Sequence, residues 1–197
     1  MTMKELYKNI VIPNFELIQQ ELLNCIDHDY KEDTKPHAFT YSEKYITEKC
    51  PLFMGWLRPR CKLPIRLLRF YITPPHQKLG AHIDGGGQTA IVSLGLNIPV
   101  SGSKNTFMTW YECKKENLRT DNPDGYLGGI HPKDYNELTP IESLEITKPC
   151  FANNSIMHGV ENRSDDYRVM FTVRWVLDHF VGRTIEDCIK TDGLFEV

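Results

Sequence analysis

At 197 residues with 41% hydrophobic content, the chain is long enough for one sizeable core and too short for two comfortable domains. A net charge of −3, with no Lys/Arg run interleaved with aromatics, gives no footprint for nucleic acid. No stretch approaches the ~20 apolar residues that span a bilayer, and Met1 to Lys8 lacks the apolar centre of a signal peptide, so a soluble, cytoplasmic protein is expected.

Taken in order, Asn9-Ile10-Val11-Ile12 is a short β-branched run that Pro13 and Asn14 break. Phe15 to Ile26 then carries apolar residues at Phe15, Leu17, Ile18, Leu22, Leu23 and Ile26, the spacing of an amphipathic helix. Asp27 to Lys49 is polar and weakly periodic and receives no assignment; Tyr30, Phe39, Tyr41 and Tyr45 are expected to pin it to the surface. Pro51 to Leu57 reads as a short helix ending near Pro59, and Cys61 to Pro64 as a connection.

From Ile65 the pattern has period two. Arg66, Leu68, Phe70 and Ile72 share one face of a strand, and Leu67, Arg69 and Tyr71 the other. In Thr89 to Ile98 an apolar face of Ala90, Val92, Leu94, Leu96 and Ile98 alternates with Thr89, Ile91, Ser93, Gly95 and Asn97. Arg168 to Leu177 repeats the arrangement, with Val169, Phe171, Val173, Trp175 and Leu177 against Arg168, Met170, Thr172 and Arg174. Short strands between Pro- and Gly-bearing turns, preceded by helix, predict a mainly β jelly roll with flanking helices. The apolar faces should pack on the helices and the mixed faces line a ligand cavity. The expected division is support in 1–64, core in 65–177 and a C-terminal tail in 178–197. Residues 114–140, rich in Gly and Pro and without a period, read as an insertion at the barrel mouth, proposed as a lid.

The chemistry centres on His82-Ile83-Asp84 at the edge of the Gly85-Gly86-Gly87 turn. Side chains two apart on a strand share a face, so His82 and Asp84 can grip one metal ion together. A third ligand is supplied best by His158, 74 residues beyond Asp84 and ten before Arg168. Two histidines and a carboxylate leave three octahedral positions open, as in non-haem Fe(II) oxygenases. Imidazole ligands must be unprotonated, so metal affinity is expected to fall below about pH 6.5. His28, His37, His76, His131 and His179 receive no role, and the Trp110-Tyr111 pair reads as core or rim packing. The six cysteines form no C-x-x-C pair and are expected to be reduced.

The residues His82-Ile83-Asp84, His158 and Arg168 make the chain resemble the Fe(II)/2-oxoglutarate-dependent oxygenases over roughly residues 65–177. The phrase His158-Gly-Val-Glu-Asn…Arg168 is most similar to the aspartyl/asparaginyl β-hydroxylase branch. The resemblance implies a double-stranded β-helix of cupin-like form, Fe(II), 2-oxoglutarate and O2, with metal ligands His82, Asp84 and His158. It further implies that Arg168 anchors the cosubstrate, with Tyr71 assisting. Asp84 stands where that branch's best-known members lack a carboxylate, which is closer to the wider superfamily. The cosubstrate's other carboxylate has no obvious partner: Ile91 and Ser93 occupy the usual positions, and Arg69 and Asn97 are the inward-facing candidates. Arg174, of the same parity as Arg168, is the rival anchor.

The activity expected is hydroxylation of a small-molecule or peptide substrate, an amino-acid side chain included, with release of succinate and CO2. Two other readings share the barrel: a non-catalytic cupin-like protein holding a metal and a small carboxylate, and a metal-dependent isomerase or hydrolase. An inward arginine favours the oxygenase, because a metal site alone does not require one.

Overall fold

The computed structural model describes residues 6–84, 94–119, 129–175 and 185–190. The chain opens with β1 (Tyr7–Asn9), α1 (Phe15–Asn24), β2 (His37–Tyr41), α2 (Glu43–Lys49) and α3 (Pro51–Leu57). The barrel strands follow as β3 (Ile65–Thr73), β4 (Lys78–Asp84), β5 (Leu94–Ser101), β6 (Thr106–Glu112), β7 (Leu118–Arg119), β8 (Gly129–Pro132) and β9 (Thr139–Glu145). The last described elements are β10 (Cys150–Asn153), β11 (His158–Asn162), β12 (Arg168–Trp175) and α4 (Ile185–Lys190).

The strands form two antiparallel sheets, ordered β1-β10-β5-β12-β3-β2 and β7-β8-β4-β11-β6-β9. From β3 to β6, and again from β10 to β12, consecutive strands alternate between the sheets, giving the double-stranded β-helix that the period-two segments predict. No helix of the described residues is long and apolar enough to cross a membrane.

Strand alternation divides the interior in two. Leu68, Phe70 and Ile72 of β3, Leu94, Leu96 and Ile98 of β5, and Val169, Phe171, Val173 and Trp175 of β12 face the helices. There they meet Ile18 and Leu22 of α1, Ile46 of α2 and Phe53, Met54 and Leu57 of α3. Phe171, fully buried, lies edge-on to Phe53 at 5.4 Å and against Phe70 at 4.6 Å. Removing such a ring from water contributes about 1.5–3 kcal/mol. The opposite face encloses a smaller cluster of Met108, Trp110, Cys150, Ala152 and Met170 between the sheets. Trp110, read as core or rim packing, is fully buried there, and its indole N–H donates to the Asn153 carbonyl at 3.0 Å.

The helices have local causes. Ser42 caps α2 by accepting the Tyr45 amide at 3.1 Å. Pro51 starts α3, where its missing N–H costs nothing. The next two amides of α3, Leu52 and Phe53, donate to the Glu21 carboxylate at 3.1 Å each, so α1 supplies the cap that α3 lacks.

Several expectations are corrected. The first strand is Tyr7–Asn9, not residues 9–12, because its partner β10 starts at Cys150 and the preceding Pro149 has no N–H to extend the ladder. The unassigned segment 27–49 contains β2 and α2; neither five nor seven residues repeat long enough to show a period. Residues 114–140 contain β7 and β8 rather than a structureless insertion, and β8 pairs with β4 at Ile83 and Asp84. Strands of two and four residues are defined by long-range pairing alone. The lid proposal rests partly on 120–128, which lie outside the described residues, as do Gly85 to Gly87, Ser93 and the end of the last predicted strand. In the segment expected as a tail, α4 buries Ile185, Cys188 and Ile189 in the main core.

Candidate metal centre and its cavity

β4 and β11 are hydrogen-bonded neighbours, and their register sets His158 directly opposite His82. The ring centroids are 4.6 Å apart. Asp84, two residues on, presents Oδ1 3.4 Å from His82 Nε2 and Oδ2 3.9 Å from His158 Nε2. One ligand atom from each residue falls within 4.8 Å of the others, and all three residues are buried.

The local backbone holds these rings. His82 Nδ1 lies 2.8 Å from the Gly80 carbonyl and His158 Nδ1 2.9 Å from the Ile156 carbonyl. A carbonyl only accepts, so each Nδ1 carries the proton and each Nε2 turns a lone pair inward. The donor set therefore fits a divalent ion of the Fe(II), Mn(II) or Ni(II) type. A bulge between His158 and Val160 aims the strand, and Gly159 permits its close approach: a Cβ there would lie 3.2 Å from the Leu79 carbonyl.

Burial pushes the His158 pKa down to about 4, with the neighbouring His82 ring acting in the same direction. The expectation that protons compete for this ligand near pH 6.5 is thereby corrected, since a desolvated imidazolium is disfavoured. Burial alone would raise the Asp84 pKa. Arg174 overrides it and holds the carboxyl well below the usual range.

Both arginines of β12 face this interior, and they differ in partners. Arg174 donates to Asp84 Oδ2 through Nη1 and reaches the Tyr71 hydroxyl at 3.4 Å through Nη2. Arg168, 5% exposed, has no side-chain hydrogen bond or ion pair with any described residue. Desolvation lowers its pKa to about 10, partly offset by Cys150, so it is still a cation at neutral pH. Asn162 fixes the strand on which it begins. Its Nδ2 donates to the Thr73 and Asp166 carbonyls at 2.9 and 2.8 Å, and its Oδ1 accepts from Ser164. This ties the β11–β12 turn to the end of β3, opposite Arg168.

One cavity, open to solvent, is lined by His82, His158, Arg168, Arg174, Tyr71 and Asn97 among others. Most residues singled out from sequence thus converge on it. Tyr71 is there, although its hydroxyl contacts Arg174 rather than Arg168. Asn97 is buried and accepts from Thr172 Oγ1 at 2.8 Å. Arg69 lies toward β2, donating Nε to Thr40 Oγ1 at 2.8 Å, with its guanidinium 5.9 Å from the Tyr71 ring centroid.

Three further residues were not anticipated. Asn154, in the β10–β11 turn, lines the cavity and accepts the Asp84 amide through its carbonyl at 3.1 Å. Thr172 was placed on the inward face but given no role. His131 on β8 is buried with its ring centroid 6.1 Å from that of His82. Parity could have signalled Thr172; a turn residue and a residue on a four-residue strand carry no such mark.

Neither a protein-family model nor a curated protein matches the chain. Solved structures do. The carbocyclase SnoK, described as non-heme and alpha-ketoglutarate dependent and from nogalamycin biosynthesis, superposes with a TM-score of 0.59 at 13% identity, covering 88% of this chain and 80% of its own. The epimerase SnoN, crystallised with Fe3+ and alpha-ketoglutarate, gives 0.53 at 12% identity over 88% and 79%. HygX from Streptomyces hygroscopicus, crystallised with nickel and 2-oxoglutarate, gives 0.51 at 9% identity over 90% and 84%. The double-stranded β-helix of this chain is the fold of those enzymes.

Proposed function

We propose that the protein is an Fe(II)- and 2-oxoglutarate-dependent dioxygenase, with His82, Asp84 and His158 holding the metal and Arg168 receiving the distal carboxylate of the cosubstrate. The observation that carries the reading is Arg168 itself. A guanidinium buried in the cavity of a His–Asp–His triad, with no described partner, is costly unless an anion joins it. Its planar fork suits a carboxylate. Bound Fe(II) with 2-oxoglutarate supplies reduction of dioxygen coupled to decarboxylation to succinate and CO2, which oxidises a substrate C–H bond.

The chain's own residues do the rest. The Gly80 and Ile156 carbonyls keep both imidazoles in the ligating tautomer, and burial keeps His158 neutral across the physiological range. Leu79, Met108, Val160 and Met170 give the cavity apolar walls that limit water around the reacting groups. SnoN was crystallised with a nogalamycin compound and HygX with hygromycin B, which supports a small-molecule substrate over a peptide. Hydroxylation as the outcome rests on the resemblance carried by His82, Asp84, His158 and Arg168, and kinship with the aspartyl/asparaginyl β-hydroxylase branch on the phrase from His158 to Arg168. A cytoplasmic setting is part of the same reading, in keeping with six free cysteines.

The test is to add Fe(II) and 2-oxoglutarate to the protein under nitrogen. A visible charge-transfer absorption should form only when both are present, should be absent in His158→Ala, and should give succinate on admission of air. No absorption and no succinate would refute the proposal. In a second reading, a non-catalytic binding protein, the Arg174–Asp84 ion pair is a structural one. Absorption without succinate in the presence of a bound substrate would select it.

A further inference from the structure

The proposed contents of the cavity leave a charge over. A divalent cation and the 2-oxoglutarate dianion cancel. The described charged side chains at the site are Arg168 and Arg174 against Asp84 alone, one positive charge in excess. If Arg168 takes the cosubstrate and Asp84 the metal, that excess resides on Arg174. Its Nε is buried without a hydrogen-bond partner.

A second observation lies beside it. Gly95 is the cross-strand partner of Arg174, and its lack of a side chain lets Asn154 and Thr172 pack close beside that pair. A Cβ there would stand 3.1 Å from Asn154 Nδ2. The Asn154 side chain is 1% exposed, lines the cavity and has an Oδ1 with no hydrogen-bond partner. Buried amides are almost always satisfied, so an unsatisfied oxygen on a residue that lines a cavity points to a ligand. The same residue's carbonyl bonds the Asp84 amide, which puts Asn154 next to the metal ligands.

We propose that Arg174 and Asn154, which line the cavity on either side of Gly95, form a recognition site for the primary substrate, and that this substrate is a small organic acid carrying a hydroxyl or similar donor near its carboxylate. The carboxylate accepts from the Arg174 guanidinium, and the donor satisfies Asn154 Oδ1. The assignment rests on the dioxygenase reading above and names its substrate class.

The test uses protein loaded with Mn(II) and saturating 2-oxoglutarate, and reads the paramagnetic broadening of added probes by proton NMR. 3-Hydroxybutyrate should bind at least tenfold more tightly than its neutral counterpart 3-hydroxybutyramide, and more tightly than butyrate. Arg174→Gln should abolish the preference for the acid, and Asn154→Ala the preference for the hydroxyl. Asn154→Ala keeps the carbonyl that holds Asp84, so it carries the test if Arg174→Gln does not fold. Equal broadening by acid and amide, an unchanged preference in the variants, or displacement of 2-oxoglutarate by the acid would each overturn the assignment while leaving the dioxygenase reading intact. Wild-type protein that takes up neither Mn(II) nor 2-oxoglutarate overturns both.

Discussion

Replacing Arg168 by Met separates a functional arginine from a structural one, because the two roles predict opposite signs. Desolvation brings the Arg168 pKa down to about 10. A displacement of that size from the ordinary arginine range corresponds to roughly 3 kcal/mol against the buried charged form. Met keeps most of the aliphatic volume and removes the charge. The ligand-free variant should therefore gain up to about 3 kcal/mol, which for a chain of this length raises Tm by roughly 5–10 °C. Binding moves the other way. Two charge-assisted hydrogen bonds at about 1.5–3 kcal/mol each are lost, so the 2-oxoglutarate Kd should rise about 10²- to 10⁴-fold. Differential scanning fluorimetry of the metal-free protein and calorimetric titration of the Mn(II) form with 2-oxoglutarate measure the two effects. Arg174→Met provides the contrast: it leaves Asp84 buried without its ion-pair partner, a loss of about 3–5 kcal/mol, which Mn(II) should partly restore. A lower Tm in Arg168→Met together with an unchanged 2-oxoglutarate Kd would refute the anchoring role.

His158→Ala should weaken Mn(II) binding more than ~100-fold, since even residues that only orient ligands are worth 10–100-fold, while the circular dichroism spectrum stays that of the wild type; near-native Mn(II) affinity would remove His158 from the site. Because the native His158 pKa lies near 4 and the unfolded one near 6.5, the unfolded chain binds the extra proton between those values, and stability falls as pH drops through that window. At pH 5 the loss from this group is about 2 kcal/mol relative to pH 7, so His158→Gln should show that much less pH dependence in urea unfolding of metal-free protein. Gly129→Ala places a Cβ 2.7 Å from the Ile83 carbonyl and must push β8 off β4, at a cost of about 1–3 kcal/mol by urea denaturation. Unaltered stability there would mean that the β4–β8 pairing beside Asp84 contributes nothing.

The sequence by itself carried whatever rests on local period and spacing. Alternation in 65–73 and 168–175 assigned the apolar face to the helices and the polar face to the cavity; β12 obeys it and β3 does from Leu68 to Ile72 on its apolar face, whereas a bulge opposite Trp175 turns Ile65 to the core and Arg69 lies toward β2. The two-residue step from His82 to Asp84 is enough to put both on one face, since strand geometry leaves no alternative. Only the tertiary structure decided what depends on strands far apart in the chain. That His158 is the cross-strand partner of His82 follows from β11–β4 pairing across 76 positions, which no local pattern encodes. The division of labour between Arg168 and Arg174 was equally hidden, because parity makes them equivalent. What distinguishes them is distance along β12: Arg174 ends level with Gly95 and reaches Asp84, whereas Arg168 starts opposite Thr73 and reaches no described carboxylate. Asn154 has no period at all. Its place beside Asp84 exists only because a turn between the two sheets brings a carbonyl to the end of β4, and such long-range closure is decided by packing rather than by propensity.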